Sequence, residues 1–159
     1  MGLKPTNVDS QTLKDAAAED GVGALGLSQS DSQLRTYQAK VLKAVEVEEG
    51  VEIEVDASPL FPGGGGQPPD RGTVDGAAVL EVMGHQHLRV RHAPIGDTVK
   101  IEVDWGHRFD MMQQHTAQHL LSALALNERA WVTLSFHLSE ESAFVVFDQS
   151  KIPQATWSG

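Results

Sequence analysis

The feature that most constrains this chain is a change of period near residue 110. Apolar and β-branched residues come in short runs at 37–47, 51–55, 72–82, 88–92 and 98–103, and from 110 to 128 they recur at helical spacing. Runs this short, alternating in polarity, predict half-buried strands. Glu49-Gly50 and Asp75-Gly76 are hairpin signals, and Pro94 with Gly96 marks another reversal. Five short strands so joined favour a small antiparallel barrel or curled sheet over a parallel αβ layout. In the second regime, Asp110 followed by Gln113 gives a capping-box-like helix start. Ala117, Leu120, Leu121, Leu124 and Leu126 form an apolar stripe expected to pack, and Arg129 lies where the helix dipole favours a cation. Runs at 131–138 and 142–147, parted by Ser139-Glu140-Glu141, predict a hairpin laid against this helix. The expected fold class is therefore α+β: a small glycine-rich antiparallel β-barrel at 31–104, then a partial mixed αβ body at 105–159. Residues 1–30, rich in Ala, Gly, Ser and Asp, are expected to be a loosely attached leader with a short helix at 12–19.

Charge narrows the partners. Twelve basic against 22 acidic residues give a formal net charge of −10, which argues against a protein that wraps a long run of phosphates. DNA is not expected, and any nucleic-acid contact should be small. Arg71, Arg89, Arg91, Lys100 and Arg108 could form a local cationic patch, although each reads first as an ordinary solvated cation. The chain has no cysteine, hence no disulfide framework. No apolar stretch reaches the roughly 18 residues of a membrane span, and the first residues do not resemble a secretion signal. A cytoplasmic location is the expectation.

Two motifs could carry chemistry. His115-Thr116-Ala117-Gln118-His119 lies within the predicted helix, where an i, i+4 pair projects two imidazoles from one face. That spacing suits one zinc ion, but equally suits two histidines at the border of an amphipathic helix. Metalloproteases with this spacing need a glutamate after the first histidine, and Thr116 stands there instead. The second motif is Leu60-Phe61-Pro62-Gly63-Gly64-Gly65-Gly66-Gln67-Pro68-Pro69-Asp70. Glycines can turn backbone amides toward a ligand, but a flexible connector is the default reading of such a run. The flanking Phe61-Pro62 and Gln67-Pro68-Pro69 favour a shaped turn, and the Lys-Ser/Thr ending of a P-loop is absent. His85, His87, His92 and His107 lack ligand spacing and read as ordinary imidazoles, and Trp105 reads as core or as the join between the two parts.

Taken in order, the motifs are more specific than either alone. Asp31-Ser32, Ala39-Lys40-Val41-Leu42, the glycine segment, Asp70-Arg71-Gly72-Thr73, Val103-Asp104-Trp105, Arg108-Phe109-Asp110, Met112-Gln113-Gln114 running into His115-Thr116-Ala117-Gln118-His119-Leu120-Leu121, and Ser135-Phe136-His137-Leu138 resemble the alanyl-tRNA editing family. That family comprises the editing domain of alanyl-tRNA synthetase and its free-standing trans-editing relatives. The resemblance covers about residues 31–148, and Trp105 with the double glutamine looks most like the eukaryotic free-standing type.

The resemblance implies a glycine-rich barrel followed by an editing body that hydrolyses Ser-tRNA(Ala), and Gly-tRNA(Ala) as a second substrate, with a zinc ion and without ATP. It implies His115 and His119 as zinc ligands, and Gln67 and Thr116 as candidates for catalytic roles. Gly63, Gly64, Gly65, Gly66 and Gln67 would meet the substrate at the tRNA acceptor end, and Gln118 would support the ligands from behind. The family completes its zinc with a later Cys-x-x-x-His, which is absent here; His137 is not that ligand. The sequence thus looks C-terminally truncated. Two further readings follow: a protein partner supplies the missing half, or the chain is a non-catalytic fragment that binds the acceptor end or a protein. Apolar surface in the second half is then expected to be exposed.

Overall fold

The computed structural model describes residues 26–148; the expected helix at 12–19 lies outside them. The fold is α+β. Six strands, β1 (Thr36–Val47), β2 (Gly50–Val55), β3 (Gly72–Val74), β4 (Ala77–Val82), β5 (His87–Val90) and β6 (Thr98–Val103), form a closed barrel in the order β1-β2-β5-β4-β3-β6. All pairings are antiparallel. A single helical turn, α1 (Leu27–Ser30), precedes the barrel, and α2 (Trp105–Arg129) and the hairpin β7 (Thr133–Leu138) and β8 (Ala143–Phe147) follow it. The described residues divide into two compact units: those up to Gly63 with Pro69–Arg108, and Gly64–Pro68 with those from Phe109 onward.

The barrel closes because β1 serves two neighbours. Its first half, Thr36 to Lys40, pairs with β6, and from Val41 it pairs with β2, with a register shift between Val41 and Lys43. A bulge there bends the strand and lets it turn the corner. Alternation does the rest: Val51, Ile53 and Val55 of β2, Leu88 and Val90 of β5, and Val99, Ile101 and Val103 of β6 are buried in one cluster with Ala39, Val41, Leu60, Val74 and Val82.

Where the sequence reading has one strand at 72–82 the structure has two, β3 and β4, around Asp75 and Gly76 at φ 50° and 80°. Two successive positive φ values define the type I′ turn that suits strand twist. The first hairpin turns on Glu48-Glu49, since Val47 pairs with Gly50. Gly50 is glycine for another reason: at φ 119°, a Cβ would stand 2.4 Å from the Val90 carbonyl oxygen.

Helix α2 begins five residues before the predicted Asp110. Asp104 is the true cap: its Oδ1 accepts from His107 N at 3.1 Å, and its carbonyl accepts from Arg108 N at 3.0 Å. At the other end Ala130 takes φ 57°, and Trp131 N donates to the Ala125 carbonyl at 3.1 Å, which closes the helix in a Schellman turn.

Arg108 is no surface cation. It is 3% exposed, and its guanidinium pairs with buried Asp70, donating to Asp70 Oδ2 through Nε at 2.9 Å and through Nη2. It also donates to the carbonyls of Leu34 (3.0 Å), Ser32 (3.5 Å) and Pro59. Asp70 Oδ2 further accepts from Phe61 N at 2.7 Å. Arg89 is likewise paired, at 2.7 Å with buried Glu52 and at 2.7 Å with Glu81 on the two flanking strands. Lys100 pairs with Glu102. Arg89 and Arg108 are therefore committed to buried carboxylates and do not contribute to a surface cationic patch. Arg35 lies over the half-buried Trp105 ring, 4.0 Å from its centroid.

The hairpin β7–β8 meets α2 on its polar face, not on its leucines. Gln114 Nε2 donates to the Ser139 carbonyl at 3.1 Å, and Thr133 Oγ1 to Ser122 Oγ at 2.8 Å. Leu120, Leu121, Leu124 and Leu126 are exposed, as are Leu134, Phe144 and Val146 of the hairpin. Its hydrophobicity makes the apolar stripe the expected packing face, and the structure places it outward. The expected exposed apolar surface is present.

Arg108→Met leaves the Asp70 carboxylate buried and unpaired. Loss of one partner of a buried ion pair costs about 3–5 kcal/mol, so urea unfolding followed by tryptophan fluorescence should show a destabilisation of that order. A loss under about 1 kcal/mol would show that Asp70 is not left buried, charged and unpaired in the variant. An apolar-surface dye should bind the wild-type chain, and Leu121→Glu with Leu124→Glu should lower that binding.

Candidate functional site

Gly64–Pro68 of the glycine motif and the whole histidine motif lie within the second unit. His115 and His119 stand one turn apart on α2 as a stacked pair, their ring centroids 4.8 Å apart and their planes 19° apart. Phe136 of β7 lies against both, 5.5 Å from the His115 centroid and 6.2 Å from that of His119. His115 is half-buried and His119 exposed. The other nitrogen contact comes from the glycine loop: His115 Nδ1 lies 2.9 Å from Gln67 Oε1. An amide oxygen only accepts, so this contact is a hydrogen bond only in the tautomer with the proton on Nδ1.

Backbone conformation brings Gln67 there. Gly63, Gly64, Gly65 and Gly66 have φ of 87°, 135°, 58° and 81°, a succession that side chains disfavour. Gly64 and Gln67 exchange backbone hydrogen bonds of 3.0 and 3.1 Å, which folds the loop back on itself. At Gly66 the approach is also close: a Cβ would stand 2.7 Å from the Phe136 ring, and the Gly66 carbonyl accepts from Leu138 N at 3.1 Å. At Gly64 and Gly65 a Cβ would meet nothing within 4 Å, so there the dihedral alone favours glycine.

Thr116 and Gln118 point elsewhere. Thr116 is exposed, and its Oγ1 donates to the Met112 carbonyl at 2.9 Å, an ordinary contact of a helical threonine with its own backbone. Gln118 is buried, with Nε2 donating to Ser122 Oγ at 2.8 Å. His107 is within 3.3 Å of the Pro69 carbonyl and takes no part in the pair, and His85, His87 and His92 lie in the barrel unit. Sequence reasoning missed Phe136, whose only signal was its place in the Ser135-Phe136-His137-Leu138 match.

The donor set bears on a metal. Two imidazoles one turn apart suit zinc, and a ligating histidine characteristically has its second nitrogen held by an oxygen acceptor, as Gln67 holds His115. Among the described residues no group of three or more His, Cys, Asp or Glu comes together. The pair therefore fits two positions of a zinc site and does not close one.

Burial pushes the His115 imidazole below the ordinary histidine value, and neighbouring His119 pushes it the same way. A histidine lowered in the folded state leaves stability intact above its unfolded value and costs stability as pH falls through the window between the two. In an NMR titration of the metal-free chain, His115 should titrate below the ordinary histidine range, and His119→Gln should move it part of the way back. A His115 that titrates at or above the ordinary value would contradict the burial argument.

No family model matches the chain. It is 38% identical over 125 residues to alanyl-tRNA editing protein Aarsd1 of Bos taurus, an overlap of 76% of this chain and 28% of that protein. It is 33% identical over 121 residues to alanyl-tRNA editing protein AlaX-M of Pyrococcus horikoshii, 70% of this chain and 54% of that protein. With Aarsd1 of Danio rerio it shares 36% identity over 107 residues, 65% of this chain and 26% of that protein. The chain thus spans between about a quarter and a half of the length of these relatives. On the strength of these identities, with the motifs in family order, the chain belongs to the free-standing alanyl-tRNA editing family.

Proposed function

We propose that this chain carries the histidine half of a trans-editing site that deacylates Ser-tRNA(Ala), with Gly-tRNA(Ala) as a second substrate. The observation that carries the reading is the stacked His115–His119 pair with Gln67 on His115 Nδ1, in a chain similar to proteins named for alanyl-tRNA editing. Selection is the harder part of such a reaction. A hydrophobic pocket rejects an added hydroxyl poorly, so a second site that recognises the polar error product has to remove it.

In this reading His115 and His119 hold zinc, which when bound supplies a Lewis acid for an ester carbonyl or an anchor for the acceptor end. The chain's own residues do the rest. His115 presents Nε2 because Nδ1 is engaged. With Oε1 so used, Gln67 offers its amide N–H groups to the aminoacyl group. The exposed backbone at Gly64, Gly65 and Gly66, with Gly63 at its base, admits the terminal adenosine closely because no side chains intervene. Thr116, exposed one residue past His115, is a further candidate for contact with substrate. A cytoplasmic site of action goes with this reading.

The presence of only two such donors together among the described residues favours a second reading: a non-catalytic family member that binds the acceptor end, or one that a protein partner completes. The exposed Leu120, Leu121, Leu124 and Leu126 give such a partner an apolar surface.

The test is release of serine from Ser-tRNA(Ala) by the chain with added zinc, beside Ala-tRNA(Ala) and His115→Ala. Serine-selective release that falls by about a hundredfold or more in His115→Ala, the scale expected when a principal catalytic group is removed, is the expected result. No release alone, with release restored by a segment carrying Cys-x-x-x-His, would establish the partner-completed reading.

A further inference from the structure

The glycine run invites the view that it exists to let a ligand approach the backbone. Its geometry serves a second end within the chain itself. Gly66, the position where a side chain is excluded by both dihedral and space, faces Phe136, and its carbonyl bonds Leu138 N on the same strand. The loop is thereby tied to β7 one residue before Gln67. The Gly64–Gln67 bridge fixes the backbone of Gln67 itself. Phe136 then packs on the His115 ring from the side, while His119 stacks upon it. The imidazole is held by packing in its plane and by one hydrogen bond at Nδ1.

We infer that Gln67 is a positioning residue for His115: the loop delivers its Oε1 to Nδ1, which fixes the Nδ1–H tautomer and leaves Nε2 as the donor atom available to a metal or an acid–base step. The inference rests on the His115–His119 site proposed above, but concerns the apo chain's own proton. A free neutral histidine prefers its proton on Nε2, so the opposite tautomer at His115 requires a specific acceptor at Nδ1. Gln67 is the acceptor the structure provides, and the reason for glycine at 66 is then delivery of Gln67 as much as access for a ligand.

Long-range 15N–1H correlation spectra of the full chain, taken without metal at a pH where imidazoles are neutral and assigned with His115→Ala, test this. The wild type should show His115 as Nδ1–H. Gln67→Ala should move it toward Nε2–H, and Gln67→Glu, which keeps an oxygen acceptor, should retain Nδ1–H. A wild-type Nε2–H tautomer, or a Gln67→Ala spectrum unchanged at His115, overturns the inference; should Gln67→Ala fail to fold, Nε2–H in Gln67→Glu does so as well. Titration with zinc alone adds a second readout: Gln67→Ala should bind about 10–100-fold more weakly, with Gln67→Glu restoring affinity, and equal affinity in Gln67→Ala removes the link to metal. Failure of serine release alongside an Nδ1–H tautomer would remove the proposed reaction and leave the positioning role standing.

Discussion

The buried guanidinium of Arg108 is the constraint on which the barrel unit depends. A charge this deep is tolerable only if its partner and its remaining donors are all satisfied, and that requirement dictates where several otherwise unrelated segments run. Asp70 supplies the carboxylate, while the carbonyls of Ser32, Leu34 and Pro59 take the other donors. The entry to β1, the chain before the glycine loop and the chain after it are thus tied to one side chain. Asp70 also receives Phe61 N, so the two stems of the loop are clasped at its base.

Much of this architecture was legible because it rests on local periodicity. The β-branched alternation of 51–55 and 98–103 appears as β2 and β6 almost residue for residue, and the i, i+4 histidines emerge on one helix face as their spacing requires. The failures are equally physical. The box formed by Asp110 and Gln113 predicts a helix start at Asp110, yet Asp104 offers the same carboxylate six residues earlier and takes the cap. Nothing in the neighbourhood of Arg108 marks it as buried; its partners lie 38 to 76 residues away in sequence. Hydrophobicity alone assigns the leucine stripe from Leu120 to Leu126 to packing. The hairpin instead bonds the side of α2 that carries Gln114 and Ser122, a choice set by hydrogen-bond partners that a hydrophobic pattern does not weigh.

At the site the division is similar. The identity of the histidines and of Gln67 was visible, but the contact between them spans 48 residues and depends on backbone dihedrals that only the fold reveals. Likewise Phe136 could be placed on a strand by its neighbours, whereas its position across two imidazoles depends on strand register against the helix. Family membership therefore rests on motif order and identity, and the roles of individual residues rest on geometry.

The two sheets of the molecule treat their rims differently. The barrel closes on itself, but among the described residues β7 and β8 pair as strands only with each other: β8 keeps an unpaired flank, and that of β7 carries one bond, from Leu138 N to the Gly66 carbonyl, with Leu134, Phe144 and Val146 exposed. A net charge of −10 sets every copy of the chain against every other copy. Ionic strength screens that repulsion over about 10 Å at 0.1 M while leaving the apolar flanks untouched. The colloidal state of the chain is consequently governed by salt in the direction opposite to that of an electrostatically held complex: dilute buffer keeps copies apart, and added salt lets the open hairpins find each other.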